Sequence, residues 1–80
     1  MIFDAYGSYR PMFTMDKVEI DLEAIFVGND MRIKDIVFMR RLNGGTVYTT
    51  SLRVPIKWVI EVNAGFCSQK KIKVGDLAIL

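Results

Sequence analysis

Apolar and polar residues alternate along much of this chain. Ile20, Leu22, Ala24 and Phe26 fall on one side of an extended segment, and Asp21 and Glu23 on the other. That two-residue period predicts a half-buried strand. Gly28-Asn29-Asp30-Met31 follows, with residue types suited to a hairpin connection. Charged residues flank the run 36–39, which is apolar on both sides and predicts a strand crossing the centre of a sheet. Asn43, Gly44 and Gly45 supply a turn, because these residues tolerate positive φ.

Thr46-Val47-Tyr48-Thr49-Thr50 is β-branched and aromatic, a strand composition. Pro55 lacks an amide donor, which places it at a strand start or an edge. Residues 57–62 alternate again, with Trp58, Ile60 and Val62 inward. No segment sustains a 3.6-residue apolar repeat. The one helical candidate is a turn or two over residues 64–71, with Asn63 as N-cap and Lys70 and Lys71 in the last turn. Gly65 lets the chain turn tightly out of the strand, and Phe66 folds back as a core plug. Residues 73–76 form a turn with Gly75 left-handed, and residues 77–80 a closing strand. The pattern predicts a compact, mainly β, antiparallel domain with one short helix near the C-terminus.

The tail carries a resemblance. Ala64-Gly65-Phe66 and Ile72-Lys73-Val74-Gly75-Asp76 are similar to the C-terminal signature of the DUF192 (COG1430) family, roughly A-G-F followed by G-I-K-V-G-D. Residues 17–37 parallel that family's central strands. Met1-Ile2-Phe3 resembles its G-M-L-F, and Met12-Phe13-Thr14-Met15 its F-W-M, with Thr14 in place of the tryptophan. The resemblance implies a small β-barrel-like α+β fold and no established chemistry. It also implies one domain over residues 1–80, shortened and divergent, without the family's usual N-terminal element. Loss of such an element exposes a sheet edge, and exposed edges recruit another strand.

Composition adds a reason for a partner. Of the 80 residues, 51% are hydrophobic, and mean hydropathy is +0.24. A chain this short buries only about 60% of the surface its unfolded form exposes, so the apolar surplus has too little interior. A second copy or another protein covering a surface patch is the natural remedy. Charge is uneven as well. Residues 1–35 hold seven acids against four bases, and residues 36–80 hold seven bases against two acids. That asymmetry draws halves or subunits together, or makes an electrostatic footprint. Arg40, Arg41, Lys70 and Lys71 are the candidate partner contacts. The alternative is a nucleic-acid-binding β domain using the basic C-terminal half, with Tyr48 and Trp58 available for stacking.

Catalytic chemistry finds little support. The chain has no histidine, which removes Ser–His and Cys–His pairs. Cys67 has Lys70 three residues on, a setting that lowers a thiol pKa. A free cysteine is more often buried packing, and that is the reading favoured. Glu19, Asp21 and Glu23 share a strand face at ~6.6 Å per step. They read as a solvated face, with Glu19 near Arg40 in cross-strand pairing, and not as a metal or acid–base site. No cofactor or metal is expected. One cysteine makes no intramolecular disulfide. No run of about 18 uncharged apolar residues suggests a membrane span, and the N-terminus lacks the pattern of a secretory signal. A cytoplasmic location is the default expectation.

Overall fold

The structure, a computed structural model, describes residues 1–78. Four strands form one antiparallel sheet: β1 (Ile2–Tyr9), β2 (Leu22–Gly28), β3 (Ile33–Met39) and β4 (Pro55–Asn63). A single-turn helix, α1 (Phe66–Gln69), follows. The spatial order is β1-β4-β2-β3. The fold is mainly β as expected, but the sheet is open and does not close into a barrel.

β2 and β4 are the central pair, and both bury residues on two faces. On one face Ala24, Phe26 and Val59 pack with Ala5, Met15, Met39 and Ile56. Phe13 bridges Phe3 and Phe26 there, with ring centroids 5.2 Å and 6.4 Å apart. Two irregular arms close over this face. Phe13 and Tyr48 exchange backbone hydrogen bonds of 2.8 and 2.7 Å. The Thr49 hydroxyl donates to the Pro11 carbonyl at 2.7 Å. On the opposite face Ile25, Val27, Ile33 and Cys67 are buried, with Trp58, Ile60, Val62 and Ile72 packed beside them. α1 and the segment after it cover that side.

The hairpin through residues 28–31 forms where its residues placed it. Gly28 N–H donates to the Arg32 carbonyl at 2.9 Å, and Met31 N–H to Gly28 at 3.0 Å. Pro55 starts β4. Gly65 and Gly75 take φ of +92° and +96°, values that suit a residue without Cβ. The turn around Gly75 is held by Lys73 N–H donating to Asp76 Oδ2 at 2.9 Å.

Several expectations are corrected. The apolar run 36–39 lies on the edge strand β3, and Phe38 is exposed. The chain after β3 returns through a long connection and inserts β4 between β1 and β2, which displaces β3 from the centre. β2 begins at Leu22, and Ile20 is exposed outside it. Residues 46–50 make only one bridge, Tyr48 to Phe13. Their threonine hydroxyls instead bond to Asn43, Pro11 and Asp35, the competition with a ladder that such side chains offer. Asn63 ends β4, so Gly65 takes the N-cap position without a side-chain bond. Lys70 is the C-cap and Lys71 lies beyond it. Phe66 stays 36% exposed, and Cys67 is the buried residue of α1. The closing strand reduces to a bridge between Leu77 and Arg32, and Ile79 and Leu80 lie outside the described residues.

Candidate interaction surface

The two edges of the sheet are treated differently. At the start of β3, Ile33 N–H donates to the Asp76 carbonyl and Gly75 N–H to Ile33, both at 2.8 Å. Ala78 N–H donates to the Met31 carbonyl at 2.7 Å. Further along, Thr50 Oγ1 donates to Asp35 Oδ2 at 2.7 Å. Lys34 and Asp30 make the one ion pair among the described residues, at 2.7 Å, and it holds the Asp30 carboxyl below its ordinary value. This edge is capped and charged, two recognised ways of discouraging strand addition.

β1 has no such cover. Apart from its pairing with β4, residues 2–9 make no backbone–backbone hydrogen bond among the described residues. The strand runs in register at Ile2, Phe3 and Asp4 against Ile60, Val59 and Trp58, and again at Ser8 and Tyr9 against Ile56 and Pro55. Between these stretches the register shifts. Tyr6 and Gly7 there adopt φ of +53° and +78°, and Asp4 Oδ1 accepts the Tyr6 N–H at 2.8 Å. Phe3 and Ala5 turn toward the core. Met1, Ile2, Tyr6, Tyr9 and Met12 are exposed along or beside this edge, Tyr6 at 87%.

The basic residues named from the sequence separate into two places. Arg40 and Arg41 line one open concavity of about 360 Å³ with Leu42 and Asn43. Its backbone is braced: Arg40 N–H donates to Tyr48 Oη at 3.2 Å, Arg41 N–H to Asp21 Oδ1 at 2.8 Å, and Leu42 N–H to Val18 O at 2.8 Å. Lys70 and Lys71 follow α1 and line no part of that concavity.

The carboxylates of residues 19–23 are put to structural use. Asp21 braces Arg41, and Glu23 Oε1 accepts the Cys67 N–H at 3.2 Å. Glu19 is exposed, lies outside β2 and makes no ion pair with Arg40. No group of three metal-ligating side chains gathers among the described residues. Cys67 is only 4% exposed. Burial first, and then the neighbouring Glu23 carboxylate, push its thiol up to about 11. This is the opposite of an activated cysteine. Trp58 is half-buried, and its indole N–H is enclosed without a partner.

An apolar hollow of about 260 Å³ lies beside α1, with Ile25, Ile60, Val62, Phe66 and Ile72 among its walls. Four features escaped the sequence reading: β1 as a strand, this hollow, the Tyr6–Gly7 irregularity, and the role of Tyr48 Oη, which also accepts from Asn43 Nδ2 at 2.9 Å. Only the glycine at position 7, a residue that permits positive φ, gave a local sign of the Tyr6–Gly7 irregularity.

Among the described residues, no helix is long and apolar enough to cross a membrane. A comparison with curated proteins finds no match. Among solved structures, the chain is similar to a protein of unknown function from Novosphingobium aromaticivorans DSM 12444, at 31% identity and a TM-score of 0.83. The likeness covers 96% of this chain and 54% of that one, so the chain spans about half the length of that solved protein. The family model described as "Uncharacterized ACR, COG1430" matches residues 1–79. With the signature residues of the tail in place and this fold around them, the chain belongs to the DUF192 family.

Proposed function

We propose that this domain is a non-enzymatic protein-interaction module that self-associates. The observation that carries the reading is the β1 edge, a free strand flanked by exposed apolar side chains. Free edges pair with other strands unless blunted, and apolar rows on small domains mark contact surfaces. Arg40 and Arg41, which follow β3 at the opposite edge of the sheet, and Lys70 and Lys71 after α1 are further partner contacts apart from β1, their charge setting encounter rate and specificity. Cys67 and its raised pKa give no nucleophile at neutral pH. A reducing cytoplasm suits a domain with one thiol and no disulfide.

The alternative, binding of nucleic acid by the basic half, draws on Arg40 and Arg41, which make no ion pair among the described residues. Trp58 counts against it. Its ring packs with the second core cluster and is no free stacking platform.

Light scattering behind a sizing column, with absorbance at 260 and 280 nm, tests both. The expected result is a stable multiple of the 9.2 kDa monomer mass without nucleic acid. A monomer at every concentration up to about 100 μM sinks self-association, since such a dimer is weaker than ~5 kcal/mol. A monomer carrying 260 nm material that is shed in salt moves the alternative to first place.

A further inference from the structure

We infer that the partner at β1 is a second copy of this chain, docked edge to edge and antiparallel about a two-fold axis beside Tyr6. The inference rests on the self-association proposed above and adds the surface and its geometry.

Three observations select this edge and this occupant. First, the start of β3 is capped by residues 75–78 and β3 carries Lys34, whereas β1 is uncovered and is broken only by the register shift at residues 5–7. Asp4 and Arg10, the charges at β1 and its end, already bond to the Tyr6 N–H and the Thr50 carbonyl. About an axis at Tyr6, Asp4 falls opposite Ser8 of the partner subunit, so the two carboxylates do not meet.

Second, the area fits. At ~200 Å² for a side chain of aromatic size, the fractional exposures of Met1, Ile2, Tyr6, Tyr9 and Met12 offer at most about 700 Å². A standard protein interface takes ~800 Å² from each partner, and the strand backbone supplies the rest.

Third, the irregularity of β1 is compatible with one arrangement above others. Its two regular stretches, residues 2–4 and 8–9, lie on either side of residues 5–7. An antiparallel pairing centred near Tyr6 sets each regular stretch against the partner's other regular stretch, and the two irregular segments meet at the axis. Any other register opposes an irregular segment to a regular strand. Within a single copy, Tyr6 combines a left-handed backbone, held by the Asp4 carboxylate that accepts its N–H, with an almost fully solvated ring. At an isologous axis the two Tyr6 rings face each other, as aromatic residues do at contact centres.

The experiment compares wild type with Tyr6→Asn and Tyr9→Lys by sedimentation and light scattering. Asparagine tolerates the left-handed backbone, so Tyr6→Asn preserves the strand while removing the ring. Leu42→Asn, another exposed apolar residue at positive φ, is the control away from β1. The expected result is a wild-type dimer, a dimer Kd raised about tenfold or more in both tyrosine variants, and no change in the control. A Tyr6→Cys variant, mildly oxidised, should form a disulfide-linked dimer, and Leu42→Cys should not. This readout also decides the matter if a tyrosine variant fails to fold. A wild-type dimer undiminished by Tyr6→Asn and Tyr9→Lys, with no linkage through Tyr6→Cys, overturns the β1 assignment and leaves self-association standing. A monomeric wild type overturns both.

Discussion

Thr50→Val isolates one hydroxyl that ties the irregular layer to the sheet. Thr50 is the one fully buried polar side chain among the described residues. Its Oγ1 donates to Asp35 Oδ2 at 2.7 Å and accepts the Leu52 N–H at 3.1 Å. Its carbonyl accepts Arg10 Nε at 3.2 Å. Asp35 in turn accepts the Ile36 N–H at 2.9 Å, where β3 shifts register against β2. Valine keeps the volume and branching of threonine and removes only the donor and acceptor.

A hydrogen bond to a charged group contributes about 1.5–3 kcal/mol, and stranding the Leu52 N–H adds to the loss. Asp35 is only half-buried, so water recovers part of its share. The expected loss is therefore about 2 kcal/mol. For a domain of this size that is a fall of roughly 8–16 °C in Tm. Urea unfolding with an unchanged m-value is the assay, since an unchanged slope assigns the effect to the native state. A double-mutant cycle with Asp35→Asn separates the pair from its surroundings. A loss below about 0.5 kcal/mol, or full additivity in the cycle, refutes the bond as the tie between arm and sheet.

Two further outcomes concern titration. The Cys67 thiol is pushed up from 9.0 to about 11, mainly by burial and then by Glu23. The unfolded thiol therefore ionises first as pH rises, and stability falls by at most ~1.4 kcal/mol per unit between those two values. Alkaline unfolding of Cys67→Ala should lack this slope, and alkylation of native Cys67 near neutral pH should be slow; rapid labelling contradicts its burial. Burial also raises the Glu61 pKa above 4.5, partly offset by the N-terminal ammonium. The carboxylate form is thus the destabilising one. Glu61→Gln should gain a few tenths of a kcal/mol at pH 7, discounted for its exposure, with the gain fading as pH falls through the folded and then the unfolded pKa. A loss of stability at neutral pH would reverse this reading.

The features legible in the sequence are those that neighbours along the chain decide. The alternation at the start of β2 and along β4, and the hairpin between β2 and β3, follow from period two and turn chemistry within ten residues. The burial of residues 24–27 of β2 on both faces departs from the half-buried strand expected. Gly65 and Gly75 declare themselves by the backbone they permit. What was not legible depends on distant partners. The run 36–39 has the composition of a central strand, yet β3 sits at an edge because the connection after it carries β4 past β2. Residues 46–50 have the composition of a strand, yet their hydroxyls find Pro11 and Asp35, which no local pattern announces. Arg40 and Arg41 were identifiable as charges, but their bracing by Tyr48 and Asp21 was not.

The apolar surplus read from composition can now be located. The radius of gyration is 11.8 Å, against ~11.6 Å for a compact chain of this length, so loose packing is not where the surplus went. A four-stranded open sheet has two faces and two edges to cover. The arms through residues 11–18 and 46–54 cover one face, and α1 with the segment after it covers most of the other. Residues 75–78 take the start of the β3 edge. That leaves β1, where a strand without lysine exposes Ile2, Tyr6 and Tyr9 together with unpaired backbone. Elsewhere Phe38 is a single exposed apolar residue on β3, and Leu42, Val47 and Val74 lie in loops and turns; such scattered residues are ordinary. At β1 an unpaired backbone and several exposed apolar side chains coincide over the length of one strand, and that coincidence is what a second strand requires.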